Sequence, residues 1–402
     1  MHRRSLLAAF AGALTPLPDT KLWSADPEEY WKRVREEQFL LPGWRAYMNN
    51  GSLGVPPKPV VAAVAEYSEQ GASLVKNEYP RWGYETMDAH RQLAADFLGC
   101  RKEELALTHS ATDSMSIVAQ GLDLQAGDEI LMTDQEHTGG KGAWLMREAR
   151  HGLRVRTMPI PLPPKSPEQL ADIVISAIGP KTKVLSFSGI LTTTGLVMPV
   201  REICRAARAK GVLTVVDGAH MHGQIPFRID ELECDFLAGS PHKWMFAPPG
   251  CGLLYIREEM LERLWPSVTT EAWSNKSLKA ARFMQIGTNN RSVFEGMVAG
   301  IRFAQEIGPQ RIYQRIHQLA RRALVQAREI PGLEMLTPDD DRLFGALVAF
   351  RMPKPMFQRF QQKAAEEKMW IYGSDTMRIA THIHTRSADV DRFFTLLRAS
   401  RA

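Results

Sequence analysis

The chain has 402 residues, 44% of them hydrophobic and 24% charged, and a net charge of +5. That balance suits a water-filled compartment and a core large enough for one big domain with a smaller satellite. The basic excess forms no patch interleaved with aromatics, and the arginines of Ala320–Arg328 fall at helical spacing, so nucleic acid is not expected as a partner. No apolar run reaches the length of a membrane span, and no span is expected. Cys100, Cys204, Cys234 and Cys251 are scattered, which argues against both a disulfide framework and a zinc knuckle.

In chain order, "MHRRSLLAAFAGAL" joins Arg3-Arg4 to an apolar run, Leu6 to Leu14, with small residues at Ala11-Gly12-Ala13. This resembles a twin-arginine export signal. Residues 1–20 are therefore expected to be a signal or a disordered arm, with a periplasmic location if the signal is used and a cytoplasmic one if not. Residues 21–45 are expected to pack with a small domain. From about residue 100 short apolar strands alternate with helices: "ELALTH", then "SATDSMSIVAQGL"; "DEILMTD", then "GGKGAWLMREARHG"; "KVLSFSGI", then "PVREICRAARAKG"; then the strands "VLTVVD", "CDFLAG" and "GCGLLYIRE". Alternation of this kind implies an α/β fold with a mostly parallel sheet covered on both faces, here over residues 46–290. Beyond about residue 291, long helices and a few alternating strands predict a smaller α+β domain, residues 291–402.

In such sheets ligands bind outside the carboxyl ends of the strands, so the residues there carry the chemistry. Ser110, Ala111 and Thr112 stand at a strand-to-helix junction, where free N–H groups attract anions. His137 follows the next strand, and Thr192 to Thr194 follow a third. Asp217 ends "VVD", and 26 positions later Lys243 lies in "GSPHKWMFAPPG", a loop stiffened by Pro241, Pro248 and Pro249. Apolar surroundings disfavour an ammonium and turn a lysine into a nucleophile. An acid facing such a lysine suits pyridoxal phosphate, with the lysine as Schiff base and the acid on the pyridine nitrogen. The alternative is a metal-dependent amidohydrolase using His220 and His222. It is disfavoured because that barrel needs its H-x-H on an early strand, whereas "DGAHMH" is mid-chain and His382 and His384 of "THIHT" belong to the other domain.

The segments "VVDGAH", "GSPHKWMFAPPGCGLLYIRE" and "YMNNGSLGVPPKPV" resemble the class V aminotransferases, fold-type-I pyridoxal-phosphate enzymes, and within them the isopenicillin N epimerase-like branch. The resemblance implies that Lys243 carries pyridoxal 5'-phosphate and that Asp217 pairs with its ring nitrogen. It puts His137 on the ring face, His220 near the ring hydroxyl, and Ser110, Ala111, Thr112, Ser240 and His242 around the phosphate. Thr288 of "QIGTNN" would reach the phosphate of a neighbouring subunit, which implies a homodimer. Asn50 and Gly51 would lie at the substrate, and Arg378 of "MRIATHIHT" would clamp a substrate carboxylate. Ala380 replaces the family's usual serine, and "SGILTTTG" departs from its usual wording, so the substrate side is the less defined. The expected activity is that of an aminotransferase or an epimerase acting on an amino acid or related amine. A C–S lyase or cysteine desulfurase is the alternative on the same fold, and the absence of any cysteine after Cys251 weighs against the desulfurase.

Overall fold

The computed structural model describes residues 15–74, 85–374 and 376–401. The candidate export signal lies outside the described residues, since Arg3-Arg4 and Leu6 to Leu14 fall in residues 1–14. The main sheet comprises β1 (Leu105–Thr108), β2 (Glu129–Thr133), β3 (Arg154–Met158), β4 (Thr182–Ser188), β5 (Leu213–Asp217), β6 (Phe236–Gly239) and β7 (Gly252–Ile256). Across the sheet they follow the order β1-β7-β6-β5-β4-β2-β3. All are parallel except β7, which runs antiparallel to both neighbours. The connection explains the reversal. Residues 240–251 hold one four-residue helical turn, Pro241–Trp244, and no helix long enough to recross the sheet, so β7 returns antiparallel.

Successive strand residues face opposite sides, so the sheet feeds two cores. Val215 of β5 packs with Met115, Val118 and Trp144 from the helices Ala111–Gly121 and Thr138–His151. Its neighbour Val216 packs on the other side with Ile203 and Ala207 of the helix Val200–Ala209. Each such fully buried aliphatic side chain contributes roughly 1.5–3 kcal/mol. The helix Ser292–Ile307 packs on Lys58–Ser73 and Asp88–Leu98, and its Met297 and Ile301 join this second core.

A second sheet, β8 (Glu334–Met335), β9 (Leu347–Arg351), β10 (Tyr372–Gly373) and β11 (Thr376–Ala380), is antiparallel in the order β10-β11-β9-β8. Leu319 and Ala323 from the helix Pro309–Arg328 pack against it with Phe350, Phe360, Phe393 and Phe394. The helix Pro27–Gln38 buries Tyr30, Trp31 and Val34 in the core of the main sheet. From the same helix Arg35 donates to the carbonyls of His384 and Arg45, and Glu28 pairs with Arg315. This N-terminal segment thus ties the main core to the residues just after β11. Among the described residues no helix is long and apolar enough to cross a membrane.

Candidate active site

The carboxyl ends of β1, β2, β4, β5 and β6 bring Ser110, Glu136, His137, Ser188, Asp217 and Ser240 to one edge of the sheet. Lys243 stands beside them. Its segment, expected as a loop, folds as one helical turn, Pro241–Trp244, with Pro241 at the first position, where a missing N–H is harmless. Lys243 Nζ lies 3.1 Å from His220 Nε2. Burial pushes the ammonium down to about 8; Asp217 opposes this and Arg378 adds to it. The lysine is poised as an amine nucleophile near neutral pH.

Asp217 is buried, and its Oδ1 accepts the Ala219 N–H at 3.0 Å. Its Oδ2 faces Gly140, where an added Cβ would stand 2.9 Å away; at Gly139 a Cβ would meet Thr112 Oγ1 at 2.3 Å. The two glycines open space between the start of the helix Thr138–His151 and the strand ends. His137 caps that helix, accepting the Gly139 N–H on Nδ1 at 3.0 Å. Its pKa is lowered by burial and by Lys243. At the helix Ala111–Gly121, Ser110 Oγ accepts from Asp113 N–H and Ser240 Oγ from Ala111 N–H, each at 3.1 Å. The Thr112 N–H has no hydrogen-bond partner among the described residues, which leaves an anion-seeking donor at a helix N-terminus. His242 is held down to about 4 by burial and then by Lys243, and its Nδ1 is buried without a partner.

Arg378, on β11, enters the same cleft. It is 3% exposed, and its guanidinium donates to Thr192 O at 2.6 Å, Ser52 Oγ at 2.8 Å and Asn49 Oδ1 at 3.2 Å, while it rests 4.7 Å over the Tyr372 ring. Its Nε has no partner, and all of these acceptors are uncharged. A buried cation without a carboxylate is costly unless a ligand supplies the anion. Asn50 serves the lysine more directly, donating from Nδ2 to Lys243 O at 2.7 Å. A Cβ at Gly51 would lie 3.4 Å from the His220 ring. Thr288 is exposed and forms no hydrogen bond to these groups; its neighbour Asn289 meets His109 Nε2 at 3.1 Å.

The two histidines of "DGAHMH" diverge. His220 points to Lys243, while His222 Nδ1 bonds Gly218 O at 2.8 Å and its ring fills the space beside Gly218 and Gly239. That geometry offers no shared metal. Reading the sequence missed Glu136, whose carboxyl accepts from Thr133 Oγ1 at 2.5 Å and Ser188 Oγ at 2.6 Å. It also missed Asn49, Ser52 and Tyr372 around Arg378. Glu136 directly precedes His137, and that adjacency was the available signal.

These residues fit a flat pyridine carrying a phosphate. Asp217 would meet its ring nitrogen, the space beside Gly139 and Gly140 would admit it, and Thr112 N–H, Ser240 and His242 would take the phosphate. Comparison with known proteins agrees. The aminotransferase class-V family model matches residues 47–393. The isopenicillin N epimerase of Streptomyces clavuligerus is 31% identical over 396 residues, 92% of this chain and 98% of that protein. A cysteine desulfurase of Klebsiella pneumoniae (strain 342) is 29% identical over 73% of this chain and 75% of its own. The cystine C–S lyase C-DES, solved with its product cysteine persulfide, superposes with a TM-score of 0.78 at 26% identity, covering 88% of this chain and 97% of that one. A mutant of C-DES holds glycine covalently linked to the pyridoxal-phosphate cofactor, with a TM-score of 0.78 at 25% identity over 88% and 96% of the two chains. The chain belongs to the class-V aminotransferase family and is a fold-type-I, pyridoxal-phosphate-dependent enzyme.

Proposed function

We propose that the enzyme acts at the α-carbon of an amino acid, as an epimerase or an aminotransferase. The observation that carries this reading is Arg378: a buried guanidinium beside Lys243, oriented by neutral acceptors and lacking an anion. A substrate carboxylate completes it, and the planar fork favours two parallel bonds. The carboxylate so held fixes the α-carbon toward Lys243. The cofactor, when bound, supplies an electron sink for the bond broken there. Asp217 would hold a proton on the ring nitrogen by its charge, and the Lys243 amine would take the α-proton from one face. Reprotonation of the α-carbon by an acid on the face opposite Lys243 would give the inverted epimer, whereas amine transfer would release a keto acid. The full-length likeness to an isopenicillin N epimerase supports the epimerase reading. We also infer a homodimer in which Thr288 completes the partner's site.

A C–S lyase is the second reading, favoured by the likeness to C-DES. A sulfur-accepting desulfurase is disfavoured, because no cysteine follows Cys251. Cys204, Cys234 and Cys251 are also buried, their thiols pushed up by burial. Amino acids with varied side chains, assayed separately for inverted epimer, keto acid and sulfide, separate the three chemistries. On the best substrate Arg378→Ala should lose about 2–4 kcal/mol of transition-state binding. That is roughly a thirtyfold to thousandfold fall in kcat/KM, partly restored in Arg378→Lys. Unchanged efficiency on a carboxylate-bearing substrate rejects the clamp and points to a decarboxylated amine.

A further inference from the structure

Trp244 follows the lysine in sequence, and its indole donates to His220 Nδ1 at 3.3 Å. An indole nitrogen only donates, so His220 Nδ1 carries no proton, and the neutral ring keeps its proton on Nε2. That is the atom 3.1 Å from Lys243 Nζ. A doubly protonated ring is opposed by burial and by the charges of Lys243, Arg378, His137 and His242. Facing an N–H, Lys243 Nζ completes the contact only by accepting, which an amine does and an ammonium does not.

The indole is itself held in place by the "THIHT" segment that follows β11. Its ring stacks on His382 with centroids 5.7 Å apart, and His382 stacks on His384 at 5.6 Å. His382 has a defined tautomer too: its Nδ1 accepts the Ile383 N–H at 2.9 Å, so Nε2 donates to Trp244 O at 3.4 Å. His384 Nε2 meets Asn50 Oδ1 at 3.2 Å, and Asn50 Nδ2 donates to Lys243 O at 2.7 Å. The chain of contacts leaves Lys243 at its side chain, passes through two buried imidazoles of the small domain, and returns at its backbone.

We propose that Trp244 is a positioning residue: backed by His382 and His384, its indole N–H locks His220 as an Nε2–H donor to Lys243 Nζ, so that the lysine presents a lone pair to its reaction partner. This inference rests on the family's lysine-bound cofactor and not on which reaction follows. The charged and titratable groups around the lysine are Asp217, which favours the ammonium, Arg378, which disfavours it, and the His137 and His242 imidazoles, whose own protonation Lys243 opposes; His220 is in direct contact. Without the indole N–H, His220 is free to move its proton to Nδ1 and offer Nε2 as an acceptor, which stabilises the ammonium.

The test follows the rate at which pyridoxal phosphate attaches to full-length protein stripped of cofactor, read by absorbance across pH. Two variants are compared with wild type: Trp244→Phe, and replacement of the indole by the isosteric benzothiophene, which retains the stack and lacks the N–H. In both, the midpoint of the pH–rate profile should move up by about one pH unit, so attachment at pH 7 slows roughly tenfold, while final cofactor content stays at wild-type level. A merely structural role for Trp244 would lower the content and leave the midpoint in place. An unchanged midpoint in the benzothiophene protein overturns the proposal even if Trp244→Phe fails to fold. The family's cofactor chemistry would survive that result, because it depends on Lys243 binding the cofactor at all.

Discussion

Two carboxyl groups buried near one another rarely both ionise, because each charge raises the cost of the other. Glu136 is such a neighbour of Asp217. Burial pushes its carboxyl up to about 7; the Ser188 and Thr133 hydroxyls oppose this, and the charge of Asp217 adds to it. A neutral Glu136 spares the strand ends a second buried negative charge beside Asp217. The same shift makes stability depend on pH. Because the folded pKa is raised above the usual 4.5, the stabilising contribution is complete below about pH 4.5 and is lost as pH rises through about 7. Glu136→Gln should flatten the fall in urea stability between pH 4.5 and pH 8, by up to roughly 3 kcal/mol for a shift of this size. A slope identical to wild type would mean that Glu136 is charged throughout. In "DQEH" only the adjacency to His137 hints at this role, since an acid just past a strand otherwise looks like an ordinary loop residue until β4 is seen to deliver Ser188 beside it.

An element can be built for its neighbour at its own expense, and the helix Thr138–His151 shows how. Two glycines in its first turn weaken it, since each is about 1 kcal/mol less favourable than alanine inside a helix. Gly140 is tolerated because a Cβ there would stand 2.9 Å from Asp217 Oδ2 and force the carboxylate aside. Gly140→Ala should therefore leave the melting temperature of the cofactor-free protein unchanged or higher, while weakening pyridoxal phosphate binding about tenfold or more, a loss of roughly 1.4 kcal/mol. Equal binding by the variant would show that Asp217 has room to turn. At this scale much was legible in the sequence. Strand–helix alternation marked β1, β2, β4, β5 and β6 and the helices Ala111–Gly121, Thr138–His151 and Val200–Ala209, because buried parallel strands are continuous apolar runs with glycine or proline at their borders, whereas β3, whose "RVRTM" is mostly polar, and the helix Pro167–Ala177 went unread. The reversed direction of β7 was not legible, since direction is set by what the connection holds, here a single helical turn, and not by the strand's own residues. The helical turn around Lys243 was hidden for a similar reason: its prolines read equally well as a loop, and only Pro241 at the first helical position resolves them.

For the whole molecule, the surface segment from Trp265 to Trp273 asks for a cover. Trp265, Val268 and Trp273 are 51%, 53% and 45% exposed, and the two indoles stack with centroids 6.0 Å apart. The same segment runs on to Thr288, which is also exposed and forms no hydrogen bond to its own chain's site. Large apolar groups grouped on a surface are more often an interface than a solvated face. A second copy packed here by a two-fold axis would bury both tryptophan pairs and carry each Thr288 toward the other's phosphate site, as the family likeness implies. Light scattering of the cofactor-loaded enzyme should then give twice the 45.2 kDa of one chain. The double variant Trp265→Ser with Trp273→Ser should dissociate at lower dilution and lose cofactor in step with dissociation, because a monomer lacks the partner's threonine. Thr288→Val should keep the dimer and weaken only the cofactor, by about 1–3 kcal/mol if its hydroxyl donates to a phosphate. A stable monomer with full cofactor occupancy would remove both the dimer and this role for Thr288. A dimer unaffected by the tryptophan changes would place the interface elsewhere on the surface.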